Sequence, residues 1–154
     1  MAHCGLVAAS LRESMVRNPL MSMLNFLQHR GPQASRLVTQ NTEGILAPIG
    51  GLGTPAQAFY NVAQEDMEAM TGRVGIAHSR YGVSEGFDER TMQPMEGRRF
   101  WGAHNGNVVN VRALRERSGS SPGVTDSRII TDLISLARGS TFEERVIQVF
   151  EQLE

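Results

Sequence analysis

The stretch MAHCGLVAA, residues 1–9, sets Cys4 directly before a short apolar run, and Cys4 is the only cysteine among 154 residues. Residues 5–9 read as a short buried strand. The one thiol therefore sits at the head of a strand, close to the start of the chain. A lone cysteine is ordinarily a small buried hydrophobe. Its position opens a second reading. If the His3–Cys4 bond were cut, thiol and free α-amine would share one residue. An unperturbed α-amine titrates at ~7.7–8.0, so near neutral pH part of it can accept a proton. It can then act as general base for its own side chain, as an N-terminal nucleophile does. While residues 1–3 remain attached, that nitrogen is an amide and cannot.

The length suits one ordinary domain, and 40% hydrophobic with 20% charged residues suits a globular chain with a sizeable core. A net charge of −1 gives no sign of nucleic acid or a membrane surface as partner. No apolar run approaches the ~18 residues of a spanning helix. No basic segment leads into an apolar one at the N-terminus, so it does not read as a secretory signal. One cysteine cannot form an internal disulfide, which suits a reducing cytoplasm.

Beyond the first strand, NPLMSMLNFLQHRG reads as a helix. Asn18 is its candidate cap, Pro19 lies in the first turn, and Leu20, Met23, Leu24 and Leu27 recur at helical spacing. Gly31 and Pro32 end it. Residues 36–40 and 44–47 read as a strand pair, followed by a glycine-rich loop from Pro48 to Pro55. A helix is expected over about 56–70, a strand in RVGIAHSRY, a long loop over 82–97 and a strand in FWGAH (100–104). Asn110 could cap a helix of about 111–117, and Thr125 or Asp126 the helix RIITDLISLA. Thr141 and Glu144 form a capping box for the last helix, whose apolar face is Phe142, Val146, Val149, Phe150 and Leu153. The order mixes α and β without the regular alternation that demands a parallel sheet.

Three stretches carry candidate chemistry beside Cys4. In AHNGNVVN (103–110), Asn-Gly is a strong hairpin-turn signal. The Asn105 side-chain N–H and the Gly106 backbone N–H could equally form an oxyanion hole. Arg80, at the end of a strand, is either a solvated arginine or a bidentate clamp for a carboxylate. Asp126 is either a helix cap or a partner for a substrate ammonium. His3, His29, His78 and His104 are scattered, with no i,i+4 pair, so no metal site is expected.

The order of these motifs resembles a known family. Cys-Gly, LQHRG, IAHSRY, QP, AHNGN and TDS follow one another as in the class II glutamine amidotransferases, with the glutaminase domain of the amidophosphoribosyltransferase type the nearest in look. The resemblance runs from Cys4 essentially to the last residues. It implies an α+β fold, the αββα sandwich of N-terminal-nucleophile hydrolases. Residues 1–3 would be a propeptide and residues 4–154 a type-2 glutamine amidotransferase domain. Cys4 would attack the side-chain amide of glutamine, with its freed α-amine moving the proton. Asn105 and Gly106 would hold the oxyanion. Arg80 would bind the substrate carboxylate and Asp126 its ammonium, and Arg30 and Gly31 would pack beside the nucleophile. The ammonia released would serve de novo purine synthesis in the cytoplasm.

The chain departs from the family's pattern at Arg36 and Leu37, where a small and an apolar residue would stand, and at Arg128, where an acid is common. It also stops before the strands that complete the family's second sheet. On that reading only the N-terminal part of the sandwich is present, and the phosphoribosyltransferase domain, which would use Mg2+, is absent; no cofactor is expected in this chain. The implied partners are glutamine, a chain or domain supplying the missing strands and the ammonia-acceptor site, and a homo-oligomeric copy. One alternative is a non-catalytic or split half-domain that needs a partner chain. Another is the glutaminase domain of a glucosamine-phosphate synthase or asparagine synthetase type.

Overall fold

Strand pairing in the first part of the chain is entirely antiparallel. In a computed structural model, which describes residues 4–82 and 89–154, four strands form one sheet in the order β1-β4-β2-β3. They are β1 (Gly5–Ser10), β2 (Ala34–Gln40), β3 (Leu46–Leu52) and β4 (Val74–Arg80). The expected propeptide, residues 1–3, and residues 83–88 of the loop foreseen over 82–97 lie outside the described residues. Contacts divide the chain into two units. One holds the described residues up to Pro94 together with Ala103–Asn105; the other holds Met95–Gly102 and Gly106–Glu154.

Register and core explain the first unit. Val7 lies opposite Ala77, Ala77 opposite Leu37, and Leu37 opposite Ile49, so one row of apolar side chains crosses the sheet. All four belong to a core with Leu20 and Leu24 of helix α1 (Arg17–Phe26) and Ala58 and Phe59 of helix α2 (Pro55–Tyr60). Helix α3 (Gln64–Ala69) adds Met67. Side chains alternate along a strand, so the neighbours of this row face the other way. Leu6, Val74 and Leu52 on that second face are 44%, 48% and 52% exposed. This unit therefore supplies one helix layer and one sheet of the expected sandwich.

Several elements differ from the sequence expectation. Helix α1 starts at Arg17 with Val16 as its cap, so Asn18 is its second residue and makes no capping bond. A 3-10 turn, Gln28–Arg30, follows it. The segment expected as a loop from Pro48 is strand: Pro48 pairs with Val38, and Gly50 with Arg36. Two facts allow this. Strand β3 lies at the sheet edge, where a missing N–H is tolerated. At Gly50, a Cβ would come 2.7 Å from the Ser35 carbonyl oxygen, so only glycine fits this approach. The helix expected over 56–70 is broken into α2 and α3, with the Thr54–Gln57 capping box starting the first.

The second unit is built from a hairpin and three helices. Strands β5 (Met95–Gly97) and β6 (Phe100–Gly102) pair antiparallel across a turn at Arg98-Arg99, where Arg99 takes a φ of 65°. Helices α4 (Val111–Ser118), α5 (Asp126–Leu136) and α6 (Phe142–Phe150) enclose Leu114, Ile129, Ile130, Leu133, Ile134 and Val149. The Thr141–Glu144 capping box opens α6. Asn110 precedes α4 but does not cap it. Its amide donates to the Gln152 carbonyl instead, at 2.7 Å. Arg128 pairs with Asp132 one turn on and donates to the Glu96 carbonyl, which ties α5 to β5. Among the described residues, no helix is long and apolar enough to cross a membrane.

Candidate active site

Cys4 stands one residue before β1, and its thiol is free and buried. The Tyr81 backbone N–H points to Cys4 Sγ at 3.5 Å, and Sγ lies 3.9 Å from the Tyr81 carbonyl oxygen. The Cys4 carbonyl oxygen takes two donors: Arg30 Nε at 3.0 Å and Asn105 Nδ2 at 3.2 Å. One arginine and one asparagine from distant segments thus grip the same backbone group. Arg30 reaches it because the chain after α1 tightens into a 3-10 turn and then passes close to β4. At Gly31 a Cβ would lie 2.5 Å from the Arg80 carbonyl carbon, so a side chain there would drive the two backbones apart.

Arg80, at the end of β4, donates from Nη1 to the Thr91 carbonyl at 3.2 Å. Arg36 donates from Nη1 to the Met92 and Pro94 carbonyls, each at 3.4 Å. Burial pulls the Arg36 guanidinium below its usual range, and Glu89 acts the other way. Arg36 lies opposite His78 in the sheet. The two arginines hold the segment 91–94 against the second face of the sheet. His78 is buried there, and neither ring nitrogen has a hydrogen-bond partner among the described residues. Burial lowers its pKa to about 4, helped by Arg80 and His104. The buried side chain of Gln93 accepts from the His104 backbone N–H at 2.6 Å, joining segment 91–94 to 103–105.

Gly106 and Asp126 belong to the second unit. Gly106 is an exposed bend. No strand follows it, so the Asn-Gly pair is not a hairpin turn. Asp126 is the first residue of α5, and Thr125, not Asp126, caps the helix by accepting from the Arg128 N–H. The Asp126 carboxylate accepts from the Val108 N–H at 3.3 Å and the Ser127 N–H at 2.7 Å, which fixes the chain just after Gly106. Of the residues singled out in the sequence, the structure brings Cys4, Arg30, Gly31, Arg80 and Asn105 into one unit. Arg36, His78 and Gln93 join them there. Only the QP pair, quoted in the motif order, signalled Gln93, and Arg36 stood out only as a departure.

Known proteins resemble this chain over most of its length. Amidophosphoribosyltransferase 1, chloroplastic, of Arabidopsis thaliana is 32% identical over 139 residues, 85% of this chain and 24% of that protein. A glutamine–fructose-6-phosphate aminotransferase (isomerizing) of Salmonella paratyphi A is 29% identical over 156 residues, 97% of this chain and 25% of that protein. A solved glutamine phosphoribosylpyrophosphate amidotransferase from B. subtilis superposes with a TM-score of 0.75 at 21% identity, over 98% of this chain and 33% of that one. No protein-family model matches. This chain spans about a quarter of the length of these curated relatives. The α+β architecture is the fold of that solved amidotransferase over its matching third. In sequence and fold the chain is homologous to the N-terminal part of glutamine amidotransferases of the amidophosphoribosyltransferase kind.

Proposed function

We propose that this chain releases ammonia from glutamine through a thioester on Cys4. The observation that carries the reading is the double grip of Arg30 and Asn105 on the Cys4 carbonyl, which fixes the residue bearing the thiol. Removal of residues 1–3 frees the α-amine. That amine takes the thiol proton, and the sulfur attacks the side-chain carbonyl carbon of glutamine. The oxyanion formed is held by the Asn105 side-chain N–H and the Gly106 backbone N–H, donors worth ~10²–10³ in rate. The tetrahedral adduct collapses as the α-ammonium protonates the leaving nitrogen, so ammonia departs and a glutamyl thioester remains. Water, deprotonated by the same amine, then attacks the thioester, and glutamate and thiol are regenerated. Arg80 binds the substrate carboxylate and Asp126 its ammonium, with Arg30 and Gly31 setting the nucleophile's position.

The ammonia passes to an acceptor site on another domain or chain. The likeness to amidophosphoribosyltransferases favours a phosphoribosyl acceptor and purine synthesis. A free thiol at this position suits the reducing cytoplasm. The test is a glutamate-release assay on a chain prepared with Cys4 as its first residue, beside Cys4→Ala. Equal rates from the two would sink the assignment. Intact-mass measurement of the purified chain tells whether residues 1–3 are removed.

A second reading is a half-domain that acts only with a partner chain. The exposure of Leu6, Leu52 and Val74 on the sheet face away from the helices favours it. Light scattering on the purified chain separates the two: a stable monomer that turns over glutamine removes the need for a partner.

A further inference from the structure

Segment 103–105 belongs to no strand or helix, yet it carries Asn105 to the Cys4 carbonyl. Asn105 is itself exposed, so its position depends on a few anchors rather than on packing. One anchor is one residue away: the His104 backbone N–H donates to Gln93 Oε1 at 2.6 Å. Gln93 is only 4% exposed. Its own backbone is held on both sides, since Arg80 donates to the Thr91 carbonyl and Arg36 to those of Met92 and Pro94.

From this chain of bonds we infer that Gln93 is the positioning residue for the Asn105 amide. Arg36, His104 and Gln93 together make a strap that fixes where that amide points. The inference rests on the proposed glutamine hydrolysis only for its kinetic consequence; the positioning stands on the bonds alone. A backbone N–H inside a segment without secondary structure has few ways to be satisfied, and a buried glutamine oxygen supplies one. Loss of that acceptor frees segment 103–105, and the Asn105 amide with it. A small displacement of an oxyanion donor is enough to slow the chemistry while leaving substrate affinity alone. The same arrangement makes Arg36 functional despite its departure from the family's pattern.

The experiment compares wild type with Gln93→Met, which keeps the length and loses the acceptor, and Gln93→Glu, which keeps an acceptor oxygen. In wild type, the His104 amide should exchange with solvent at least tenfold more slowly than in an unstructured peptide. Gln93→Met should remove that protection and shift the Asn105 side-chain amide resonances; Gln93→Glu should restore both. In glutamate release, Gln93→Met should lower kcat about tenfold with KM within twofold of wild type. Alkylation of Cys4 by iodoacetamide should stay within twofold, because that displacement forms no oxyanion. An unprotected His104 amide in wild type, or Asn105 resonances unmoved in Gln93→Met, overturns the inference even if the variant folds poorly or the enzyme reading fails. Equal losses in alkylation and hydrolysis would mean general disruption and also overturn it. A wild-type chain that releases no glutamate, with the exchange results as expected, counts against the hydrolysis and not against the strap.

Discussion

Arg30 Nε donates to the carbonyl oxygen of Cys4 at 3.0 Å, on the same oxygen that receives the Asn105 amide. The charged donor is the stronger of the two, since a hydrogen bond from a charged group contributes ~1.5–3 kcal/mol when well shielded. Arg30 is half-exposed, which puts its contribution below that shielded range. Arg30→Met should therefore cost about 1 kcal/mol in urea unfolding and lower kcat for glutamine about tenfold. Unchanged kcat would remove Arg30 from the site.

Asn105→Ala takes away a donor proposed to act only once the oxyanion has formed. The loss should fall on kcat, on the order of 10²–10³, with KM nearly unchanged. Steady-state kinetics on a chain beginning at Cys4 checks it. A rise in KM alone would assign Asn105 to substrate binding.

Arg80→Met removes the proposed carboxylate clamp, and KM for glutamine should rise on the order of tenfold or more. Because Arg80 also holds the Thr91 carbonyl, kcat should fall as well, by a smaller factor. Glutamine amide analogues lacking the α-carboxylate separate the two effects. On these, wild type and variant should differ only by the smaller kcat factor if the clamp is real.

His78 gives the fold a pH dependence of known sign. Its pKa in the folded chain is about 4, lowered by burial first and then by Arg80 and His104. In the unfolded chain it is ~6.5. Between these values the unfolded chain takes up a proton that the folded chain refuses. Stability from this group is therefore flat above ~6.5, falls as pH drops toward about 4, and falls no further below that, with a total on the order of 3 kcal/mol. Urea midpoints for wild type should drop between pH 7 and pH 4.5 more than those of His78→Gln. Parallel declines would show that other groups carry the transition.

Gly31→Ala puts a methyl group against the Ser79 and Arg80 backbone. Its φ of −166° is open to any residue, so the cost is steric rather than conformational. A rigid overpacked contact of this kind costs ~1–3 kcal/mol. Chemical denaturation gives the value. A variant as stable as wild type would mean that the 3-10 turn yields freely, in which case Arg30 should also release Cys4.

Much of the fold was legible where one local signal agreed with burial. Strands β1 and β4, the β2–β3 pair and the Thr141–Glu144 box are of this kind. The misses have separate physical causes. Pro48 and its glycines read as a loop because composition cannot tell an edge strand, which tolerates them, from a turn. The true second hairpin turns at Arg98-Arg99, residues with no turn preference, while the strong Asn-Gly signal at 105–106 makes no hairpin. Asn18 lost its capping role because the packing of Leu20 and Leu24 sets where α1 begins. The candidate site was legible as a set of motifs. The part played by Arg36 and Gln93 was not, because it depends on carbonyls of a segment that sequence spacing cannot place over a sheet.

The strand order carries a consequence for how the chain reaches its final state. Strands β2 and β3 are joined by a short connection and can pair early, whereas Cys4 meets Tyr81 across 77 residues of chain. Closing so long a loop costs more entropy than closing a hairpin, so β1 should be the last strand to dock. Pulsed hydrogen exchange during refolding should show protection in β2 and β3 before β1. The contacts that hold Cys4 are then assembled at the end of folding. Any self-processing just before Cys4 would be timed by sheet closure, so that an unfinished chain carries a thiol without the free α-amine that activates it.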